Sequence, residues 1–283
     1  MNLASIVIVT KNHARYLSRC LNSVLKQTYN NYEIIIIDHN SSDNTAEIIK
    51  NFKSDRIKYF LNTDDNGIAS VRNFGIEKSK GDFIFFTDAD CMPAKNWIEE
   101  GMQILITNDY AGVEGKTVAE HQNFGASQHF VENYNGGQYQ TCNIAYKRKN
   151  LIEINMFNPT YKTAYEDIDL ALRIKKNSQI YFNSDMLVFH QLVEWSIKGL
   201  LLNAFRAKDK VTLVKDHNYK KILNYRILEI NSLILLIFPF LLIFYYRIKN
   251  YRDIYILPFM YIRVLIHRIV IWKTAIIKKI LIF

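Results

Sequence analysis

Short apolar runs alternate with helical stripes through the first half of the chain. Residues 5–9 are apolar and β-branched and predict a first strand. Residues 14–27 place Leu17, Cys20, Leu21, Val24 and Leu25 on one helical stripe. Residues 32–37 predict a second strand that ends on Asp38. The run Ser41-Ser42-Asp43-Asn44-Thr45, rich in helix-capping types, then opens a helix through Phe52. A third strand is predicted over 56–61, a helix over 67–79, and a fourth strand over 82–86 that runs straight into Thr87-Asp88-Ala89-Asp90. Pro93 is expected to start a further helix carrying Trp97. Four strand–helix units in about 100 residues predict an α/β fold, an open and mostly parallel sheet with helices on both faces.

The pattern loosens afterwards. Residues 112–119 and 138–147 read as strands, with the polar stretch from His121 and the Gly136-Gly137 pair as loops between them. Residues 166–176 read as a helix, and 179–182 and 186–189 as two short strands, the second ending on His190. From Gln191 the character changes. Residues 192–215 predict an amphipathic helix, with Trp195, Leu200, Leu201 and Phe205 set against Lys198, Arg206, Lys208, Lys210 and Lys215. Residues 227–246 are apolar enough, at about 1.5 Å per residue, to reach across a hydrocarbon core of about 30 Å. Residues 254–283 are also apolar but carry Arg263, His267, Arg268, Lys273, Lys278 and Lys279, which suits an interfacial helix better than a bilayer-centred one. Pro239 permits a kink in the first of these segments, and Pro258 is expected to begin the second. The chain is thus expected to divide into an α/β domain over residues 1–217 and a basic, apolar helical tail over 218–283.

Charge sharpens this division. The formal charge is +9, but residues 196–283 hold 16 Lys and Arg against 4 Asp and Glu, while residues 1–195 hold 20 against 23. A mildly acidic domain joined to a basic, apolar tail suggests attachment to an anionic lipid leaflet; the tail is too apolar for a nucleic-acid arm. Three cysteines without a C-x-x-C pair give no disulfide framework and no zinc knuckle. The N-terminal apolar run lacks a positive n-region and reads as a buried strand rather than a signal peptide. Both points place the α/β domain on the cytoplasmic side of a cell membrane, with the tail attached to it and both termini inside. In the competing arrangement residues 227–246 span, which the positive-inside tendency opposes.

Several residues have types and positions suited to chemistry. Asp88 and Asp90 follow a buried strand at the sheet edge where open α/β sheets bind ligands, and two such carboxylates can converge on Mg2+ or Mn2+. The bland alternative is a surface turn, and Asp167-Ile168-Asp169 repeats the same spacing elsewhere. Asp38 can accept hydrogen bonds from a nucleobase or ribose, or can simply cap the following helix. Glu166 and Asp167 open a helix, where acids compensate the macrodipole or, functionally, act as a general base. His190 ends a strand and is either structural or a ligand. Arg72, on the helix after Asp65-Asn66-Gly67, can pair with phosphate or with Asp64 or Asp65.

Taken in order, these segments resemble the large inverting family 2 of glycosyltransferases, which have the GT-A fold. The carriers are the run from Ser5 to Asn12, Leu21 to Thr28, Ile36-Ile37-Asp38 through Thr45, Asn66 to Asn73, Gly81 through Asp90, Asn143, Glu166 to Arg173 and Val188-Phe189-His190. The likeness covers about residues 3–190. It implies a metal-dependent transferase that moves a sugar from a nucleotide-diphosphate donor to a hydroxyl of a glycan or lipid-linked acceptor, with one inverting displacement, in cell-surface polysaccharide or glycolipid synthesis. It places Thr10, Asn12, Asp38, Arg72 and Asp88 around the nucleotide sugar. Asp88, Asp90 and His190 fall at a Mn2+ or Mg2+ ion, Asp167 acts as catalytic base, and Glu166 helps to position the acceptor. UDP is the family's commonest nucleotide; His39 stands where the family pattern has a second acid, so GDP and dTDP stay open.

Two other classes are weighed against this. A nucleotidyltransferase making sugar nucleotides wants a glycine-rich loop after the first strand, and Thr10-Lys11-Asn12-His13 has no glycine. A non-catalytic membrane scaffold has no need of intact acids, yet Asp88, Asp90, Asp167 and His190 are all present.

Overall fold

The computed structural model describes residues 2–64, 66–218, 223–224 and 227–282. The first elements are β1 (Ala4–Thr10), α1 (Ala14–Val24), β2 (Tyr32–Asp38), α2 (Thr45–Asn51), β3 (Ile57–Leu61), α3 (Ile68–Lys78), β4 (Phe83–Asp88), β5 (Cys91–Pro93), α4 (Trp97–Thr107) and β6 (Gly112–Ala119). There follow β7 (Gln128–His129), β8 (Ile144–Lys147), α5 (Arg148–Glu153), α6 (Glu166–Ile174) and β9 (Ile180–His190). The remainder holds β10 (Val193–Glu194), α7 (Ile197–Asn203), α8 (Ala207–His217), β11 (Leu223–Asn224), β12 (Ile227–Leu228), α9 (Ile230–Ile237), α10 (Leu242–Tyr245) and α11 (Tyr251–Lys278). By internal contacts the chain divides into two units. The first is Met1–Glu120, Phe130–Lys162 and Glu166–Gln191; the second is His121–His129, Thr163–Tyr165 and Leu192–Phe283.

The first unit is built on an eight-stranded sheet in the order β3-β2-β1-β4-β8-β6-β9-β5. β3, β2, β1 and β4 run parallel, as do β6 and β9; β8 and β5 run against their neighbours. β1 and β2 are buried along nearly their whole length because helices cover both faces of a central parallel strand. The strand period of two then sorts one run of residues to two cores. Ile6, Ile8, Ile34 and Ile36 meet Leu17, Leu21, Val24, Trp97 and Met102 on one face. Val7, Ile35 and Ile37 meet Val71, Ile76, Leu151, Leu170 and Ile174 on the other. Each such aliphatic side chain contributes about 1.5–3 kcal/mol when fully buried.

Several local expectations are corrected here. Pro93 does not start a helix: it ends β5, pairing with Val188, and the helix begins at Trp97. A proline is tolerated there because β5 is the edge strand and lacks a partner on one side. Of residues 138–147 only Ile144–Lys147 form a strand, because the preceding loop is gathered around Glu114. That carboxylate accepts from the Asn133 side chain (2.8 Å) and from the amides of Gly137 (2.6 Å), Gln138 (2.9 Å) and Tyr139 (2.5 Å). The two short strands expected over 179–189 are one strand, β9, interrupted by a bulge where its register against β6 shifts between Gly115 and Lys116.

The second unit departs further from its pattern. Residues 192–215 break into β10, α7, a 3-10 turn over Ala204–Arg206, and α8. The apolar stretch 227–246 is not one helix. α9 stops at Ile237, Phe238 takes an extended conformation ahead of Pro239, and only a 3-10 turn and the four-residue α10 follow. The proline ring disfavours a helical residue before it, and the longest piece, α9, measures about 12 Å. Among the described residues one helix, α11, is long and apolar enough to cross a membrane, by length and composition. It starts at Tyr251, capped by Asn250 and Asp253, and holds Pro258 within its second turn rather than at its start. Phe283, at the end of the expected segment, lies outside the described residues.

Several of the charges that α11 carries are turned inward, while Arg252 and Lys273 are exposed. Its buried positions, Asp253, Ile256, Met260, Val264, His267, Ile271 and Thr274, recur every three or four residues and form one stripe. Along that side Arg263 donates to the Asn203 side chain (2.9 Å), His267 pairs with Glu229, and Arg268, fully buried, donates to the Leu228 carbonyl and to Ser232 Oγ (3.2 Å). Lys210 of α8 pairs with Glu229 as well. The opposite side presents Ile254, Tyr255, Ile262, Ile269, Ile276 and Ile277 to the exterior, and α9 and α10 add Ile237, Ile243 and Phe244, the last 83% exposed.

Candidate active site

Strand register assembles the site. Thr10 pairs with Asp38, Val9 with Asp88, and Asp38 with Leu61, so the last residues of β1, β2, β3 and β4 share one edge. β9 runs in the same direction as β4 through two antiparallel steps, and its last residue, His190, arrives at that edge too. A carboxylate just past a strand end is spared from the sheet core while its backbone stays fixed.

At the β2 end, Asp38 is 1% exposed. Its Oδ1 accepts from the Ser41 amide (2.9 Å) and its Oδ2 from the Tyr59 hydroxyl (3.0 Å). Burial, with the Asp38 contact second, pushes the Tyr59 phenol up to about 12, so it stays a donor. Asp38 thus orders its own loop without capping α2, whose N-cap is Asn44, and each of its oxygens keeps a second lone pair. Asn12, at φ 57°, accepts from the Ser42 amide (2.7 Å), and its own amide donates to Ser41 Oγ (2.9 Å), which ties the β1 loop to the β2 loop. Thr10 Oγ1 is buried beside Asp38 with no hydrogen-bond partner. A buried hydroxyl left without a partner marks a place where a ligand atom is awaited.

At the β4 end, Arg72 lies between two carboxylates. It pairs with Glu166 and stands 3.5 Å from Asp88 Oδ1. Gly67 makes this placement possible: at φ 85° it caps α3 where an added Cβ would come within 2.6 Å of Lys162 Cα. Arg72 is thus held by Glu166 and Asp88 rather than by Asp64; Asp65 lies outside the described residues. Although part of the Asp88 side chain is open to solvent, desolvation raises its carboxyl above the usual range, Arg72 pulls it back, and Asp90 pushes it up again. Glu166 keeps Oε2 buried and without a hydrogen-bond partner. Asp167, one residue on, is half-buried, and its Oδ1 accepts from the Ile168 amide (2.8 Å). Asp169, the far acid of the repeated spacing, is instead bound to Arg173 one turn on (2.8 Å).

The third cluster joins Asp90, Cys91 and His190, whose ligand atoms all lie within 4.8 Å of one another. His190 Nδ1 is 2.8 Å from the Gln191 carbonyl, which takes the ring proton and leaves Nε2 as an acceptor, 3.8 Å from Asp90 Oδ1. A carboxylate facing an imidazole lone pair is unfavourable until a proton or a cation lies between them. These residues therefore fit a divalent ion. Asp88 lies outside this group and beside Arg72. Gln191 escaped the sequence reading, as did Tyr59 and Cys91. Only Cys91, next to Asp90, carried a positional signal; Gln191 acts mainly through its backbone, donating its amide to the Asp90 carbonyl (2.9 Å). A separate apolar depression of about 800 Å³ near Phe83, Leu105, Ile106 and Ile152 opens at the start of β4, away from the strand ends that carry these acids.

A family profile described as glycosyl transferase family 2 matches residues 5–169. The glycosyltransferase AglE of Haloferax volcanii is 29% identical over 158 residues, 54% of this chain and 51% of its own. WfgD of Escherichia coli, named a UDP-Glc:alpha-D-GlcNAc-diphosphoundecaprenol beta-1,3-glucosyltransferase, is 34% identical over 113 residues, 40% of this chain and 45% of its own. The match thus spans about half the length of these relatives. Among solved structures, S. aureus TarS in complex with UDP-GlcNAc superposes with a TM-score of 0.57 at 18% identity, over 73% of this chain and 66% of that one. The mannosyltransferase PcManGT from Pyrobaculum calidifontis, in complex with GDP-Man and Mn2+, gives 0.59 at 15% identity, over 97% of this chain and 73% of that one. At such identities the likeness speaks for the fold, which is the GT-A α/β fold with a mixed sheet. With more than half its length matched by the family profile, the chain belongs to glycosyl transferase family 2.

Proposed function

We propose that this protein is a metal-dependent inverting glycosyltransferase that moves a sugar from a nucleotide-diphosphate donor to a hydroxyl of a lipid-linked or glycan acceptor at a membrane surface. The observation that carries this reading is the meeting, at one sheet edge, of a nucleoside-type acceptor (Asp38), a cation-type ligand set (Asp90, His190) and a helix-borne acid pair (Glu166, Asp167). Asp38 and Thr10 Oγ1 receive the nucleoside. Asp90 and His190 hold Mn2+ or Mg2+, which neutralises charge on the departing diphosphate. Asp167 takes the proton of the acceptor hydroxyl. The acceptor oxygen bonds to the anomeric carbon as the bond from that carbon to the phosphate oxygen breaks, and configuration inverts. Arg72 holds Glu166 beside Asp88, so that the acceptor-side acid and the donor-side acid keep a fixed spacing.

Titration calorimetry with UDP, GDP, dTDP and CMP, each with and without Mn2+, tests this directly. One diphosphate binding only with metal, and not to Asp90→Ala, is the expected result. No nucleotide binding in a folded sample would leave the scaffold reading.

The membrane part rests on the second unit's basic surplus and on its outward apolar side chains. With Asp253, Arg263, His267 and Arg268 bonded inside the unit and the cations Arg252 and Lys273 exposed, α11 lies in the interface of the cytoplasmic leaflet rather than across the bilayer. The lipid-linked acceptor named for the Escherichia coli relative suits such a location. Cosedimentation with vesicles containing phosphatidylserine, but weak binding to phosphatidylcholine alone, is expected; equal recovery with both would remove the anionic leaflet from the reading.

A further inference from the structure

β5 is short, yet its pairing has a chemical consequence. Cys91 lies directly opposite His190 in the antiparallel register, and side chains of directly opposed residues project from the same face of a sheet. Cys91 Sγ is 3.7 Å from Asp90 Oδ1, and His190 Nε2 is 3.8 Å from the same oxygen. Bond lengths of about 2.0–2.3 Å to N, O and S in a tetrahedral site set such ligand atoms roughly 3.4–3.6 Å apart. Both separations lie within a few tenths of an ångström of that spacing, and all three ligand atoms lie within 4.8 Å of one another, so side-chain movement can bring them onto one ion. The cluster is also well buried: Asp90, Cys91 and His190 are 7%, 0% and 4% exposed. Three protein ligands with a fourth position left for substrate is the usual plan of a catalytic site for a tetrahedral metal.

We propose that Cys91 is the third protein ligand of the ion held by Asp90 and His190, which makes the site a mixed oxygen, nitrogen and sulfur one. On binding, the Cys91 thiol gives up its proton to solvent and a sulfur–metal bond forms, so one proton is released per ion. Such a donor set takes Zn2+, Co2+ or Mn2+ in preference to Mg2+, which favours oxygen ligands in octahedral array. The inference rests on the reading of Asp90 and His190 as metal ligands, and it narrows which ion they hold.

Cobalt reports both points separately. The detergent-purified full chain, stripped of metal, is titrated with Co2+ by calorimetry and by absorption in parallel. The expected result is one bound ion with a near-ultraviolet sulfur-to-cobalt charge-transfer band, kept in Cys20→Ser and Cys142→Ser and lost in Cys91→Ser. Zn2+ affinity should fall about 10- to 100-fold in Cys91→Ser while Mg2+ affinity changes by less than about threefold. If Co2+ binds without the band, the sulfur ligand is refuted and the Asp90–His190 site stands. If no Co2+ binds to a folded sample, the metal reading fails and this inference with it. A band that survives Cys91→Ser refutes the assignment. Should that variant not fold, a band kept in the Cys20→Ser, Cys142→Ser double variant assigns the sulfur to Cys91 by elimination.

Discussion

The two units of this chain treat charge in opposite ways. In the first, strand ends carry Asp38, Asp88 and Asp90 to one edge of the sheet, and Thr10 Oγ1 and Glu166 Oε2 are left there without partners. In the second, Glu229 joins Lys210 and His267, and Arg268 donates to the Leu228 carbonyl and to Ser232 while its Nε and Nη2 keep no hydrogen-bond partner; isoleucines and phenylalanines face outward. Unspent hydrogen-bonding capacity beneath a polar edge suits a polar ligand. Ion pairs beneath an apolar surface suit a lipid environment, because exposed apolar area of this extent is costly in water. The contrast is the one the proposed function needs, with a polar edge for a nucleotide sugar and an apolar side for a membrane.

Five measurements sharpen or break this contrast. The largest effect is expected from Asp167→Asn: turnover falls about 10²- to 10⁴-fold, the worth of a positioned general base, while donor affinity by calorimetry hardly changes. A matching loss of donor affinity would take Asp167 out of the base role. Next comes Arg72→Met, which leaves Glu166 and Asp88 as uncompensated carboxylates. It should cost about 3–5 kcal/mol in denaturant unfolding, and a loss below about 1 kcal/mol would show that the pair is not held as described. His190→Ala should weaken metal binding about 10- to 100-fold with little change in thermal stability, measured by calorimetry and by circular dichroism.

The remaining two address the second unit. Exchanging Ile276 and Ile277 together for serine should reduce partition into anionic vesicles about tenfold or more and shift stability by only about 0.5 kcal/mol. Unchanged vesicle binding would move the contact to another face. The smallest effect concerns Glu229. Burial would raise its carboxyl, but His267 and Lys210 outweigh that and hold it at about 2 against an ordinary 4.5. A depressed carboxyl contributes stability that is complete above pH 4.5 and lost as pH falls toward 2. Acid unfolding of Glu229→Gln should therefore lack that step, and an identical acid profile in both proteins would sever Glu229 from the ionic core.

Legibility followed the same divide. β1, β2 and β4 could be read within a residue or two, because central parallel strands are continuous apolar runs and their ends are marked by acids. Asp38, Asp88 and Asp90 were found for that reason. Pro93 misled because proline at a helix start and proline in an edge strand look alike in sequence. A break in 227–246 was legible in the kink that Pro239 permits, but its extent was not, because hydropathy averages over a window whereas Pro239 acts on one peptide group. Nothing in sequence spacing distinguishes Asp88-Ala89-Asp90 from Asp167-Ile168-Asp169, and only Arg173 at one helical turn shows that Asp169 is spent.

By itself, the sequence determined the period-two burial of the first strands, the positions of the acids at their ends and the surplus of cations after residue 195. These are local matters, set by side-chain type and spacing. The tertiary structure decided which acids act together. Arg72 reaches Glu166 across 94 positions of chain and joins it to Asp88, and the β5–β9 register sets Cys91 against His190. It also decided that Arg263, His267 and Arg268 of α11 face inward, since the side a helix presents depends on what packs against it and not on its composition.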